Sequence, residues 1–451
     1  ERLAPCHHTL LTNDTLRVNP AQPVAWALDG IAPKEDPKDK TRRPITVALR
    51  LPLGQGSVTV LNAGERLFHN PQALRCDNPL LLAATVQAEP GASVWIYLHE
   101  KREALLPWLE KYTFPQEARF ADAAVAELQS LNFFQTCLAQ GTTTVVAYLS
   151  CFAGAAEIAF AEAERAGLRA YLGLTLMDRN VPDALLTDAG KAEKQMLHLI
   201  GKYHKKKRAE FVVTPRFAIS CTADLLRLCG ELSRTHDTIL QTHISENTFE
   251  IEETLRLFPE AGSYAGVYDK YGCLHAKTLL GHGIHLTDDE RKLIRGRESV
   301  VVHCPVSNNF LGSGILPFAR FQKEGMRMGL GTDVAAGYSL SMLNEAKQMT
   351  EMAKLRGHLD NVYGGITAET SLYHATLGNA AALGRAHELG SFAVGKRADV
   401  VLVEDGKCDT LLDEERNHYS SLPERLNRIL YRGHPEMVAA TFVDGEPVFA
   451  R

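Results

Sequence analysis

The amino-acid sequence predicts an α/β fold in which a parallel barrel is joined to a smaller β-rich domain. From about residue 120, helix-length segments alternate with strand-length apolar runs that end in polar residues, a pattern typical of parallel barrels. Residues 1 to about 88 and those after about 385 contain short apolar runs broken by proline and glycine. We therefore predict a barrel at residues 89–384 and one β domain built from residues 1–88 and 385–451.

The apolar and polar patterns assign the elements in order. Near the N-terminus they predict strands at 44–52 and 57–61 and an exposed, charged loop at 33–43. In the barrel they predict helices at 121–140, 155–166 and 225–235, and strands at 141–149, 169–175, 211–215, 239–243, 278–281, 299–303 and 327–331. The tail is predicted to form strands at 399–403 and 439–443.

Chain length and turn chemistry bear on the choice of fold class. At 451 residues the chain is too long for one small core and suits a large domain with a smaller companion. The alternative is an open, doubly wound sheet. It is disfavoured because no glycine-rich dinucleotide-binding turn opens a first strand–helix unit.

Composition and charge exclude several classes of function. Hydrophobic residues make up 45% of the chain, charged residues 23%, and the net charge of −5 argues against a dedicated nucleic-acid binder. No apolar run approaches the ~20 residues of a membrane-spanning helix. The single basic run, residues 204–208, is interpreted as a solvated helix end because no second basic cluster accompanies it.

The cysteines indicate the redox compartment. The nine cysteines are scattered and include no C-x-x-C pair, so we interpret them as reduced thiols of an intracellular protein. The cytoplasm is the default prediction. An organelle reached with a removed leader stays open, because the chain begins at Glu1 rather than at methionine.

Polar residues at the predicted strand ends form the candidate site. His243 ends one apolar run and Glu246 follows it closely, while His282 and Asp333 end two others. In a parallel barrel the carboxyl ends of the strands meet at one face, so these side chains are expected to lie together. A neutral imidazole is a good zinc ligand, and a carboxylate outside the metal shell can transfer protons.

Arg216 and Phe217 end another predicted strand. An arginine offers a planar fork of donors and a phenylalanine offers a stacking face, which suits a flat heterocycle. The alternative interpretation is a surface arginine beside a core phenylalanine. Without the neighbouring motifs, that alternative would be preferred.

Taken together, these motifs resemble those of guanine deaminases of the amidohydrolase superfamily, over roughly residues 88–451. The WLEKYTFPQEARF run at 108–120 and the TPRF run at 214–217 resemble guanine deaminases specifically. The other matching runs are GTTT at 141–144, HISEN at 243–247, GHGIHL at 281–286, HCPVSN at 303–308, GLGTDV at 329–334, SLSML at 339–343 and GSFAVGKRAD at 390–399.

The resemblance implies a distorted (β/α)₈ TIM-like barrel with a β-sandwich, one zinc ion, and conversion of guanine to xanthine and ammonia. By this resemblance His243 and Asp333 are zinc ligands and Glu246 is the proton shuttle. His282 and Asp333 lie beside the attacking water. Arg216 and Phe217 hold the purine. The family also implies a homodimer.

One motif of the family is missing. In the family, the first barrel strand carries the motif Asp-x-His-x-His, whereas this chain has PGASVWIYLHE at residues 90–100. Ile96 and Leu98 replace the two histidines, Val94 replaces the aspartate, and the purine-binding glutamine that follows is absent. Zinc in a catalytic site needs at least three protein ligands and an open position. An alignment with one inserted residue places Tyr97 and His99 at these two positions instead, and His99 is then the alternative ligand in a rebuilt site.

Three hypotheses follow from this conflict. The first is a guanine-deaminase-like pseudoenzyme that acts as a binding or assembly subunit, with zinc absent or weakly bound. The second is an active, zinc-dependent guanine deaminase with a rebuilt metal site that uses His99. Guanine is an expected partner only if the protein is active. The third, a deaminase or hydrolase for another ring, is less favoured because Arg216 and Phe217 are retained. The expected partners are a second copy of the chain or a larger protein assembly, without nucleic acid or a membrane.

Overall fold

The computed structural model describes residues 109–360, 366–408 and 421–451, and in residues 1–101 it describes the backbone of the strands alone. The chain divides into two compact units, Glu1–Glu103 and Ala104–Arg451. Among the described residues, every helix belongs to the second unit. The predicted domain boundaries at 88 and 384, and the joining of both chain ends in one domain, stay predictions.

The first unit consists of antiparallel sheets. One has the strand order β1-β4-β5-β10-β7-β8 and the other the order β2-β3-β6-β9. The strands are β1 (Arg2–Cys6), β2 (Leu10–Leu11), β3 (Thr15–Arg17), β4 (Val24–Ala27), β5 (Arg42–Arg50), β6 (Ser57–Val60), β7 (Arg66–His69), β8 (Ala73–Cys76), β9 (Ala84–Gln87) and β10 (Ser93–Lys101). The predicted strands at 44–52 and 57–61 correspond to β5 and β6. The predicted loop at 33–43 lies outside the described residues, apart from its last two positions in β5.

Strand β10 corrects one sequence interpretation. The segment aligned with the first parallel strand of the barrel is instead hydrogen-bonded antiparallel to β5 and to β7. Ile96 lies opposite Val47 and Phe68 in these two strands. Because neighbouring strands engage both edges of β10 over residues 95–98, no parallel neighbour can pair with it there.

The second unit contains the parallel strands of the barrel. Pairing is parallel throughout, in the orders β11-β12-β14, β13-β15 and β16-β17-β18-β19, and a bridge from Val213 to Leu240 links β14 and β15 to β16. These strands are β11 (Thr144–Tyr148), β12 (Arg169–Gly173), β13 (Thr175–Leu176), β14 (Ala209–Phe211), β15 (Thr214–Pro215), β16 (Leu240–Ile244), β17 (Thr278–His282), β18 (Val300–His303) and β19 (Arg327–Leu330). The predicted barrel strands from residue 141 onward are confirmed within a few residues.

Helices follow these strands, as the alternating pattern predicts. They are α1 (Phe114–Ala118), α2 (Ala123–Ala139), α3 (Ala153–Ala166), α4 (Ala189–Tyr203), α5 (Ala223–Thr235), α6 (Thr248–Leu257), α7 (Tyr264–Lys270), α8 (Asp288–Gly296), α9 (Pro305–Phe310), α10 (Phe318–Lys323), α11 (Met342–Leu359), α12 (Ala368–Tyr373), α13 (Asn379–Ala382) and α14 (Leu422–Arg432). Local chemistry sets their ends. The Asp122 carboxylate accepts a hydrogen bond from the Ala124 amide at the start of α2, and Gly167 ends α3 at φ 81°.

The core confirms a parallel α/β barrel. All five residues of β12 are buried, as expected for a parallel strand covered on both faces. One apolar cluster joins the strands to the surrounding helices, with Phe160 of α3, Leu226 of α5 and Val301 of β18 among its members. The fold class is therefore the parallel α/β barrel that the sequence predicts, accompanied by small antiparallel sheets.

The C-terminal strands β20 (Val400–Val403), β21 (Val438–Val443) and β22 (Glu446–Ala450) form an antiparallel sheet within the second unit. The Thr441 hydroxyl donates to the Leu138 carbonyl of α2 over 2.7 Å. Arg169, at the start of β12, pairs with Asp399 at 3.5 Å and with Asp444 at 3.0 Å. This ion-pair group connects the sheet to the barrel.

Replacing Arg169 is expected to destabilise the protein. The Arg169 side chain is only 4% exposed, so Arg169→Met would leave the Asp399 carboxylate buried without its charged partner. We expect the free energy of unfolding to fall by about 3 kcal/mol, measured by urea denaturation followed by circular dichroism. Lys292→Met is the control, since Lys292 and its partner Asp289 are both largely exposed, and this change should alter stability by less than about 0.5 kcal/mol. Equal losses in both variants would contradict a structural role for the Arg169 pair.

The remaining sequence predictions concern the basic run, the cysteines, membrane spans and the cellular compartment. Lys205, Lys206 and Lys207 follow the end of α4 and are exposed, so the three lysines of the basic run are solvated at a helix end as predicted. The seven cysteines in the described part of the chain are free thiols. No helix in the described part of the chain is both long and apolar enough to cross a membrane. The cellular compartment stays a prediction.

Candidate functional site

The predicted strand-end residues lie together at the carboxyl face of the barrel. His243 is the fourth residue of β16, and His282 is the last residue of β17. Asp333 follows the end of β19 by three residues, and Glu246 follows the end of β16 by two. Parallel register places Ile244 opposite His282, which brings the two histidines to the same edge.

Three of these residues could hold a metal ion. One ligand atom from each of His243, His282 and Asp333 lies within 4.8 Å of the others. Two imidazole nitrogens and a carboxylate oxygen are donors that zinc accepts in catalytic sites with three protein ligands. The sequence interpretation placed His282 beside the water. Since its Nε2 is 3.8 Å from Asp333 Oδ2, His282 is also a candidate ligand.

Hydrogen bonds orient both imidazoles for this role. His243 Nδ1 lies 2.6 Å from the Arg216 carbonyl oxygen, and His282 Nδ1 lies 2.9 Å from Asn308 Oδ1. Because both partners are acceptors, the neutral form of each imidazole carries its proton on Nδ1 and presents a lone pair on Nε2. Asp333 is held in turn, since its Oδ2 accepts a hydrogen bond of 2.7 Å from the Ser307 hydroxyl.

Burial shifts the pKa values of two groups in the site in opposite directions. Burial, together with the nearby His282, lowers the pKa of His243 to about 4, so its imidazole is neutral at pH 7. Burial also raises the pKa of Glu246 above its usual value. The Glu246 Oε1 accepts from the Ser313 hydroxyl over 2.8 Å, and its Oε2 lies 3.6 Å from His282 Nε2. A carboxyl group in this position can exchange protons with a bound ligand.

The backbone around the site is unusual. Ser245, His282 and Asp333 adopt φ values of 48°, 72° and 47°, in the left-handed region that residues other than glycine rarely occupy. Such conformations cost free energy and persist where the surrounding structure requires them, often at functional sites. All three lie at the carboxyl face, where they turn the chain sharply after β16, β17 and β19.

Arg216 and Phe217 follow β15 and adjoin the same face. Phe217 is 3% exposed and packs with Phe114 and Met177, so its ring is almost fully buried. Arg216 is not a surface arginine, since its side chain is only 11% exposed and is paired with Glu117. Its carbonyl oxygen holds His243, so the residue also helps to position the candidate metal ligands.

Sequence reasoning missed several residues of the site. The Tyr148 ring, at the end of β11, lies 4.7 Å from the His243 ring, measured between centroids. Glu117, Ser307 and Asn308 lie within runs that resemble the family, but the sequence patterns assign no role to them. No sequence pattern indicates a role for Ser313, because its hydrogen bond to Glu246 joins residues far apart in the chain.

His99 is a predicted ligand whose side chain the structure does not describe. It lies in β10 of the first unit, and its side chain falls outside the described residues. Its role in a rebuilt metal site stays a prediction. The roles assigned to His243, Glu246, His282, Asp333, Arg216 and Phe217 also stay predictions, although the structure brings them to one face.

Replacing His282 tests its role as a ligand. If its Nε2 binds the metal, His282→Ala should weaken zinc binding by more than about a hundred-fold, whereas Asn308→Ala should cost about ten-fold. The measurement is a zinc titration against a chromophoric chelator, with His198→Ala on the exposed surface of α4 as the unaffected control. Unchanged zinc affinity in His282→Ala would place His282 outside the metal shell.

Comparison with known proteins agrees with this geometry. The profile of the amidohydrolase family matches residues 97–448. A probable guanine deaminase of Schizosaccharomyces pombe is 36% identical over 362 residues, covering 76% of this chain and 66% of that protein. A probable guanine deaminase of Deinococcus radiodurans is 35% identical, covering 77% of this chain and 79% of that protein. The chain therefore belongs to the amidohydrolase family.

The particular relatives narrow this assignment. Both proteins are described as probable guanine deaminases, and this chain is a guanine deaminase homologue. The guanine deaminase of C. acetobutylicum, solved with guanine bound in the active site, superposes with a TM-score of 0.72 at 30% identity. That match covers 76% of this chain and 81% of the solved one. Amidohydrolases typically use zinc, and the donor set of His243, His282 and Asp333 fits that ion.

Proposed function

We propose that this protein binds guanine at the carboxyl face of the barrel but lacks efficient deaminase turnover. Binding is supported by the Arg216 side chain, which is held beside the candidate metal group, and by the guanine bound in the C. acetobutylicum relative. The loss of turnover is supported by the sequence at the first metal motif. As a binding protein, it would act alone or as a subunit of an assembly.

The residues of the site have separate roles in this proposal. Arg216 donates hydrogen bonds to acceptor atoms on the edge of the purine, and Phe217 supplies apolar contact. Glu246, oriented by Ser313, would exchange a proton with the bound ring. His243, His282 and Asp333 would hold zinc, which when bound supplies water of lowered pKa as a nucleophile near neutral pH.

One observation carries the proposal. The sequence has no Asp-x-His-x-His motif, and positions 96 and 98, which align with its histidines, hold isoleucine and leucine, whose side chains have no atom that can bind a metal. Hydrolysis of guanine needs water to replace the amino group, which leaves as ammonia, and uncoordinated water is a poor nucleophile. With the ligand pair missing, the remaining group would hold zinc weakly and aim water poorly.

A second candidate function is an active guanine deaminase. The observation that favours it is the group His243, His282 and Asp333, because three protein ligands and an open position suffice for some catalytic zinc sites. A variant of this candidate adds His99 as a ligand. In either form, the protein would convert guanine and water to xanthine and ammonia.

Three measurements on one preparation separate these functions. Equilibrium dialysis with radiolabelled guanine measures binding, metal analysis measures zinc per chain, and chromatography follows xanthine. Guanine binding without xanthine formation supports the proposal. Xanthine formation with one zinc per chain would replace it with the active deaminase, and absence of guanine binding would refute both.

The predicted assembly is part of the proposal. The family resemblance of the sequence implies a homodimer, and a subunit of a larger complex is the alternative. Light scattering at several protein concentrations would determine the mass in solution. A mass that stays at the 49.7 kDa of one chain would contradict the homodimer.

A further inference from the structure

Arg216 is held by a carboxylate from a distant part of the chain. Its Nη1 lies 2.7 Å and 2.6 Å from the two oxygens of Glu117, which precedes it by 99 residues. The same nitrogen lies 3.5 Å from the Met177 sulfur. The guanidinium carbon is 5.3 Å from the centre of the Phe114 ring. The guanidinium is thus fixed from three directions.

The element that carries Glu117 is anchored in the same apolar cluster as Phe217. Helix α1 begins at Phe114, which is buried in a cluster with Leu109, Met177 and Phe217. Glu117 lies one turn further along α1 and points to Arg216. Residues 109–118 therefore form a support for the side chains that follow β15.

This pairing leaves part of the guanidinium available. A guanidinium has five N–H donors, and Glu117 and Met177 are contacted through Nη1. Among the described residues, the Nε and Nη2 donors of Arg216 have no hydrogen-bond partner. A carboxylate paired with a buried arginine offsets the positive charge of the guanidinium and restricts its rotamers. The remaining donors of the guanidinium therefore point in a fixed direction.

We infer that Glu117 is a positioning residue for purine binding, which aims the free donors of Arg216 at acceptor atoms of the ring. This inference rests on the proposed guanine binding. Glu117 itself need not touch the ligand, since both of its oxygens face Arg216. Its contribution comes from holding Arg216 in the bound geometry before the ligand arrives, which lowers the entropy cost of binding.

The test compares guanine affinity across a double-mutant cycle. Glu117→Gln keeps the shape but removes the charge, and should raise the Kd for guanine about ten-fold. Glu117→Asp keeps the charge and should bind guanine more tightly than Glu117→Gln. Arg216→Met should abolish most binding, and the double variant should bind no worse than Arg216→Met alone. Equilibrium dialysis with radiolabelled guanine gives each Kd.

The control removes a similar charge elsewhere. Glu253 pairs with Arg256 at 2.6 Å on α6, where the arginine is largely exposed. Glu253→Gln should therefore leave the guanine Kd unchanged. Thermal unfolding of each variant without ligand separates stability from affinity.

The outcomes distinguish the positioning role of Glu117 from the proposed binding of guanine. Tight guanine binding by both the natural protein and Glu117→Gln would overturn the positioning role and leave the proposed function intact. Additive losses from Glu117→Gln and Arg216→Met would also overturn it, because they would show that Glu117 acts independently of Arg216. Absence of guanine binding by the natural protein would overturn the proposed function, and the positioning role with it.

Discussion

Guanine turnover by the purified protein is expected to be at least about a thousand-fold slower than turnover by the Escherichia coli guanine deaminase assayed beside it. The reason is the loss of the first ligand pair. With fewer ligands, zinc, whose charge acidifies water, would bind less tightly, and the geometry that aims the water would be less complete. Chromatographic separation of guanine and xanthine measures both rates. Metal content is determined on the same samples, with added zinc as a second condition.

Histidines restored at positions 96 and 98 are not expected to recover this activity. Ile96 and Leu98 lie in β10, which is antiparallel to both of its neighbours rather than part of the parallel series. Val94 also stands where the family has aspartate, so support for a ligand pair would be incomplete. Xanthine production by the double variant I96H/L98H at a rate near that of the E. coli enzyme would contradict this interpretation.

The parallel strands of the barrel were predictable because the sequence patterns that indicate them are local. Buried parallel strands appear as short apolar runs, helices as longer amphipathic segments, and polar residues mark the carboxyl ends of the strands. His243, His282 and Asp333 can be selected by this rule from the amino-acid sequence alone. The barrel then brings them within ligand distance, because parallel strands end at one face.

Other parts of the site could not be predicted because their partners are distant in sequence. The Glu117–Arg216 pair spans 99 residues, and the Ser313–Glu246 hydrogen bond spans 67. Neither contact follows from periodicity or from strand ends. The antiparallel pairing of β10 was equally hidden, since an apolar run beside glycine and proline does not reveal the direction of its neighbours.

Arg216 takes part in both the candidate metal group and the candidate purine contact. The Arg216 carbonyl accepts from His243 Nδ1, and the Arg216 side chain is held by Glu117. A change in the backbone at Arg216 would therefore alter both the candidate metal group and the candidate purine contact. For this reason, substitutions at this position should change the side chain alone, and each variant needs a check that zinc affinity is retained.

Arg216→Met is expected to weaken guanine binding by at least about a hundred-fold. Methionine fills a similar volume but donates no hydrogen bond, so the acceptor atoms of a bound purine would lose their charged partner. Arg216→Lys keeps the charge without the planar fork and should weaken binding about ten-fold. Dialysis with radiolabelled guanine measures affinity, and a zinc titration shows whether His243 is still oriented. Guanine affinity within about threefold of the natural protein in Arg216→Met would contradict the purine-binding role of Arg216 and leave Phe217, which is almost fully buried, as the remaining candidate contact.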